Sequence, residues 1–124
     1  MENNKMKILI CDDEQAIRHA LELKLTHEGF DVVTTPDGNE CVSLMSDQDF
    51  DLLLLDLVLP QKDGFAILEE LKLMKNKVPV IIISNLGQEE DIKRVKELGV
   101  VHYLIKSNTS INDMVEKVKS VLNK

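Results

Sequence analysis

Short apolar runs alternate along the chain with longer stretches in which apolar residues recur every three or four positions. Met6–Cys11 reads as a strand, and residues 14–28 carry Ile17, Ala20, Leu21 and Leu25 at helical spacing. Asp31–Thr35 forms a second strand, closed by the turn signal Pro36-Asp37-Gly38 and followed by a short helix over 39–46. Asp51–Leu55 is a third strand, and a loop containing Pro60 and Asp63-Gly64 leads to a helix bearing Ile67, Leu68, Leu71 and Met74. Pro79–Ile83 reads as a fourth strand, with proline at its first position, where a missing N–H matters least. A helix with Ile92, Val95 and Leu98 stops at Gly99, and His102–Ile105 is a fifth strand. The last helix carries Ile111, Met114, Val115, Val118 and Leu122, the cleanest helical stripe in the chain.

Five strand–helix units with right-handed crossovers place helices on both faces of a parallel sheet. The strands at 51–55 and 79–83 carry unbroken apolar runs, as doubly covered central strands do. Asp31–Thr35 is half polar and His102–Ile105 is short, which puts both at edges. Strand order 2-1-3-4-5 satisfies these constraints, giving an α/β, three-layer, doubly wound (βα)5 fold of flavodoxin-like type. The 124 residues are expected to form a single domain, 1–124, with residues 1–5 as a short tail.

Composition narrows the function classes. The chain is 44% hydrophobic and 30% charged but only 3% aromatic, so its core is aliphatic. No apolar run is long enough to span a bilayer, and the N-terminus lacks the apolar segment of a secretory signal. Cys11 and Cys41 cannot make a disulfide framework or a four-ligand zinc site. The expectation is a soluble, reduced, cytoplasmic domain. A formal charge of −7 argues against nucleic acid or an anionic membrane as main partner. That charge is uneven: residues 1–90 hold 8 Lys/Arg against 18 Asp/Glu, and residues 91–124 hold 7 against 4.

In doubly wound sheets ligands bind beyond the carboxyl ends of the strands, where the winding direction reverses. The first strand ends in Asp12-Asp13-Glu14, the third in Asp56, the fourth in Ser84 and the fifth in Lys106. Carboxylates gathered this closely repel one another by a few kcal/mol per pair at an effective dielectric of about 20, so something must compensate. Lys106 supplies one positive charge, and oxygen-only ligands point to Mg²⁺ or a similar hard ion for more. Such ions bring phosphate with them, and a remaining carboxylate can act as nucleophile. Asp56 is the best candidate, being central and following the most apolar strand. Each residue also has a plainer use. Asp13-Glu14 could serve a helix N-terminus, Lys106 the surface, Ser84 a turn, and Tyr103 a fixed place on an edge strand.

Taken together, Asp12-Asp13, the Asp56-x-x-x-Pro60-x-x-Asp63-Gly64 run, Ser84 and Lys106 resemble the receiver domain of two-component response regulators, over Lys7 to Leu122. The resemblance implies that Asp56 accepts a phosphoryl group from a sensor histidine kinase or a histidine phosphotransfer protein. It implies that Asp13 and Asp56 ligate Mg²⁺ with the backbone carbonyl of Val58, and that Asp12 acts through a metal-bound water. Lys106 would pair with Asp56 and then with a phosphoryl oxygen, Ser84 would bond another, and Tyr103 would move inward as Ser84 shifts. The fourth helix, fifth strand and last helix would form the surface that binds a downstream protein. The chain would then be a stand-alone, chemotaxis-regulator-like receiver. It would be a phosphorylation-dependent switch that catalyses its own phosphorylation and slow dephosphorylation without being a conventional enzyme, touching neither nucleic acid nor membrane. Two rivals are a phospho-independent interaction module of the same fold and an aspartate-nucleophile phosphatase. The phosphatase would want Asp-x-Asp where this chain has Asp12-Asp13.

The chain departs from the family pattern at several points. Ser107 replaces the usual proline after the lysine and Asn108 a usual hydrophobe; Leu59 replaces methionine, and Asn85 stands where a small residue is common. Val100-Val101-His102 occupies the place of an acidic pair found in many DNA-binding relatives. Val58 and Leu86, two residues beyond Asp56 and Ser84, are apolar where the family's residues flank attacking water. An aspartyl phosphate that outlives those of relatives with acidic or amide side chains is expected from this.

Overall fold

A computed structural model describes residues 5–123, so the expected tail at 1–5 lies outside the described residues except for Lys5. The elements run β1 (Lys7–Cys11), α1 (Gln15–His27), β2 (Asp31–Thr35), α2 (Gly38–Asp47), β3 (Leu52–Leu55) and α3 (Gly64–Leu73). They continue with β4 (Val80–Ser84), α4 (Glu89–Glu97), β5 (His102–Ile105), a 3-10 turn at Lys106–Asn108 and α5 (Ile111–Leu122). The five strands form one parallel sheet in the order β2-β1-β3-β4-β5. That is the flavodoxin-like, doubly wound order expected from the hydrophobic pattern.

Side chains alternate between the faces of the sheet, and this splits the core in two. Ile8, Ile10, Leu52, Leu54, Ile81 and Ile83 pack with Leu21 and Leu25 of α1 and Met114, Val115 and Val118 of α5. Leu9, Cys11, Leu53, Leu55 and Ile82 pack on the other face with Cys41 and Met45 of α2, Ile67, Leu68 and Leu71 of α3, and Val95 of α4. All four leucines of β3 are fully buried. At about 1.5–3 kcal/mol per buried leucine, this strand alone contributes roughly 6–12 kcal/mol of gross transfer energy before chain entropy.

Three of the five helices, α2, α3 and α5, begin on a capping side chain. Asp37 accepts from the N–H groups of Asn39 and Glu40, Asp63 from that of Ala66, and Ser110 from that of Asp113. Gly29 and Gly99 adopt positive φ just past α1 and α4, a backbone region that costs glycine little. Two sequence-based limits shift. Met74 follows the end of α3 and is 40% exposed, so it is not part of that helix's core stripe. Pro79 lies just before β4, where its carbonyl still accepts from Leu53 N–H at 3.0 Å. Cys11 and Cys41 are both fully buried. Among the described residues no helix is long and apolar enough to cross a membrane.

The crossover direction reverses between β1 and β3. Cys11 pairs with Leu55 in register, so the residues that follow, Asp12 and Asp56, leave adjacent strands side by side. Gly64, at the start of α3, presses against the segment that carries Asp56. A Cβ there would lie 2.7 Å from Leu57 Cα and 2.8 Å from the Asp56 carbonyl oxygen.

Candidate functional site

Strand ends bring the carboxylates together, and burial fixes two of them. Asp12 is fully buried; its Oδ1 accepts from Glu14 N–H at 2.8 Å and from Lys106 Nζ at 3.1 Å. Asp56 is almost fully buried; its Oδ1 accepts from Val58 N–H at 3.1 Å and its Oδ2 from Lys106 Nζ at 2.7 Å. Asp13 is exposed, yet one carboxylate oxygen from each of Asp12, Asp13 and Asp56 lies within 4.8 Å of the others. These groups open into a small cleft of about 210 Å³ lined by Asp13, Glu14, Asp56, Val58, Asn85 and Lys106.

Lys106 reaches this cluster from the end of β5, with its side chain only 3% exposed. Burial works against its positive charge, but hydrogen bonds to Asp56, Glu14 and Asp12 outweigh that and hold the ammonium above its ordinary pKa. Asp12 is pushed up from the usual carboxylate range by burial, against the opposing pull of the Glu14 N–H and Lys106, and the charge of Asp56 adds to the rise. The Asp12 Oδ2 atom is 2.9 Å from Lys106 Nζ but receives no well-directed hydrogen bond. A buried carboxylate oxygen left in this state, in an all-oxygen donor set, fits a hard divalent cation.

Ser84 and Lys106 end neighbouring strands, since Ser84 pairs with Ile105 in register. Ser84 is fully buried, and its hydroxyl accepts from the Leu86 N–H at 3.2 Å, within its own loop. The Tyr103 hydroxyl donates to the Leu86 carbonyl, so Ser84, Leu86 and Tyr103 form one connected patch beside the cleft. Burial raises the Tyr103 phenol above its ordinary pKa, the charges of Asp91 and Asp56 add to this, and a hydrogen bond with Ser84 opposes it. Val58 is 55% exposed at the mouth of the cleft.

Two features went unforeseen in the sequence. Glu14 stands at the N-cap position just before α1, but its side chain caps nothing; it reaches Lys106 as a third carboxylate partner. The only hint was the unbroken run Asp12-Asp13-Glu14. Asn85 not only lines the cleft but also accepts from the Ser107 N–H at 3.0 Å, which joins the loop after β4 to the turn after β5. That donor exists because residue 107 is serine and not proline. No peptide bond among the described residues is cis.

A doubly wound α/β domain with an acidic cleft and a buried lysine at its switch point defines the class. The sequence model of the family described as response regulator receiver domain matches residues 8–119. The chain belongs to that family. It is 35% identical over 124 residues to the probable transcriptional regulator ycf27 of Cyanophora paradoxa, covering 100% of this chain and 51% of that protein. The chain spans about half the length of the curated relatives it matches. Among solved structures, a CheY-like response regulator receiver domain protein from Methanospirillum hungatei JF-1 superposes with a TM-score of 0.90. It is 26% identical and covers 97% of this chain and 95% of that one. The Mn²⁺-bound form of response regulator Rcp1 gives a TM-score of 0.83 at 27% identity, covering 94% of each chain.

Proposed function

We propose that the chain is a phosphorylation-dependent switch in which Asp56 accepts a phosphoryl group from a phosphohistidine on a sensor histidine kinase or a histidine phosphotransfer protein. The observation that carries this is the Lys106 ammonium bridging two buried carboxylates, Asp12 and Asp56, within a chain of the receiver family. An oxygen of Asp56 attacks phosphorus, the phosphorus–nitrogen bond to the donor imidazole breaks, and the imidazole leaves with its electron pair. Asp12, Asp13, Asp56 and the backbone carbonyl of Val58 would hold Mg²⁺, which when bound offsets negative charge on the carboxylates and the phosphoryl group. That response regulator Rcp1 has a Mn²⁺-bound form supports a divalent ion for this chain.

Lys106 then offers a donor to one phosphoryl oxygen and Ser84 to another. For Ser84 to do so its hydroxyl must leave the Leu86 N–H. Because Tyr103 is bonded to the Leu86 carbonyl, any shift of that loop acts directly on Tyr103. Phosphorylation adds roughly −1.5 to −2 charge and new acceptor oxygens, enough to bias a loop with two arrangements. The altered surface is assigned to α4, β5 and α5, where a downstream protein would bind. Of the basic residues there, Arg94 pairs with Glu69 and lies over the Phe65 ring, and Lys119 pairs with Glu28. Lys93, Lys96 and Lys117 are left as the charges that would favour an acidic partner face.

Treating the protein with acetyl phosphate, with Mg²⁺ and with a chelator, and weighing the intact chain, tests this reading. One added phosphoryl group, dependent on Mg²⁺ and lost in Asp56→Ala, is expected. No incorporation would favour a phospho-independent interaction module, and rapid multiple turnover a phosphatase.

A further inference from the structure

An ammonium group has three N–H donors, and in Lys106 all three face carboxylates: Asp56 at 2.7 Å, Asp12 at 3.1 Å, and Glu14. If a phosphoryl oxygen is to pair with Lys106, one of these partners must let go. Asp12 and Asp56 have side chains 0% and 6% exposed and are each held by a second donor, the N–H groups of Glu14 and Val58. The Glu14 side chain is 53% exposed, and Lys106 is its one partner among the described residues. Releasing it exchanges a half-exposed ion pair for water, whereas releasing either aspartate strands a buried charge. Glu14 also lines the cleft beside Asp56.

Building on the phosphoacceptor reading above, we propose that Glu14 is a displaceable placeholder on Lys106. It occupies the donor that a phosphoryl oxygen takes, and must swing out to solvent before the group is accepted. Glu14 is thus a positioning residue that sets how much phosphodonor is needed. Its carboxylate competes with the donor for one N–H and places a negative charge on the path of an anionic donor. An ion pair whose carboxylate is half exposed is worth roughly a fivefold change in an equilibrium constant, which sets the scale of the effect.

The test uses the whole chain at saturating Mg²⁺. One readout is the acetyl phosphate concentration giving half-maximal labelling rate. The other is the affinity for beryllium trifluoride, a phosphoryl mimic, followed by the fluorescence of Tyr103, the one tyrosine in a chain without tryptophan. Glu14→Ala should lower both half-saturation values by roughly two- to fivefold. Glu14→Asp keeps the charge but is a methylene too short to reach, and should follow the alanine variant in beryllium trifluoride affinity. Glu14→Gln, which keeps the reach without the charge, should fall between wild type and alanine. Since the Glu14 side chain caps no helix, all three should keep the wild-type far-UV spectrum. Values for Glu14→Ala equal to or weaker than wild type, or Glu14→Asp matching wild type, would overturn the proposal while leaving Asp56 as acceptor. A wild-type chain that takes no label and binds no mimic would overturn both.

Discussion

Replacing Asp13 by asparagine should stabilise the protein without divalent ions and destabilise it relative to wild type with them. Asp13 is exposed and makes no hydrogen bond or ion pair among the described residues, yet its carboxylate lies within 4.8 Å of those of Asp12 and Asp56. At that separation each like-charge pair costs about 1 kcal/mol at the dielectric of water and about 3.5 kcal/mol at an effective value of 20. Exposure places Asp13 near the lower figure, so its two pairs amount to about 2 kcal/mol, part of which the charge of Lys106 offsets. Removing the charge should therefore raise stability by about 1–2 kcal/mol. With an unfolding entropy of about 2.1 cal/mol/K per residue, that is an increase of roughly 4–8 °C in melting temperature for 124 residues. If Asp13 ligates Mg²⁺ as proposed, wild type would gain about 2.7 kcal/mol at a hundred times the dissociation constant, and the variant much less. Calorimetry in chelator and along a Mg²⁺ titration measures both limbs. A variant that melts below wild type in chelator would refute the repulsion, and a gap that stays constant as Mg²⁺ rises would refute the assignment of Asp13 to the ion.

Gly64→Ala should cost about 1–3 kcal/mol in urea unfolding and slow labelling of Asp56, because the new Cβ would meet Leu57 Cα at 2.7 Å and the Asp56 carbonyl at 2.8 Å. Val58→Asn and Leu86→Glu should each speed release of phosphate from the labelled protein, timed after donor removal; unchanged decay would show that these apolar side chains do not limit access of water. The raised pKa of Asp12 fixes the sign of a pH dependence in chelator. The folded state holds the Asp12 proton more tightly than the unfolded chain. This group's stabilising contribution is therefore complete below the ordinary carboxylate pKa and is lost as pH rises through the raised value. Asp12→Asn should flatten that part of a urea-midpoint profile, and an unchanged slope would mean the carboxylate is not the source.

The fold was legible because its signals are local or periodic. Leu52–Leu55 is a short unbroken apolar run that suits a strand covered on both faces, and Pro36-Asp37-Gly38 and Asp63-Gly64 mark the breaks before α2 and α3. The ends drift where no such signal exists: Met74 continues the helical spacing by one position, but the helix has already ended. The convergence of Asp12, Asp56 and Lys106 was legible for a similar reason, since strand order alone sends the residues after β1, β3 and β5 to one rim. The contact between Glu14 and Lys106 was not, because it depends on the rotamer of a half-exposed side chain 92 residues away from its partner. Nor was the Asn85–Ser107 bond, which needs the shapes of two separate loops at once.

That bond between Asn85 and the Ser107 backbone has a mechanical meaning. It straps the segment after β4 to the 3-10 turn, which only Thr109 and Ser110 separate from α5. Were Ser84 drawn toward a phosphoryl group as proposed, this strap would give its loop a second route, beside the one through Tyr103, to the first turn of the final helix. In this chain the two rims of the cleft are yoked by a bond that a proline at position 107 would forbid.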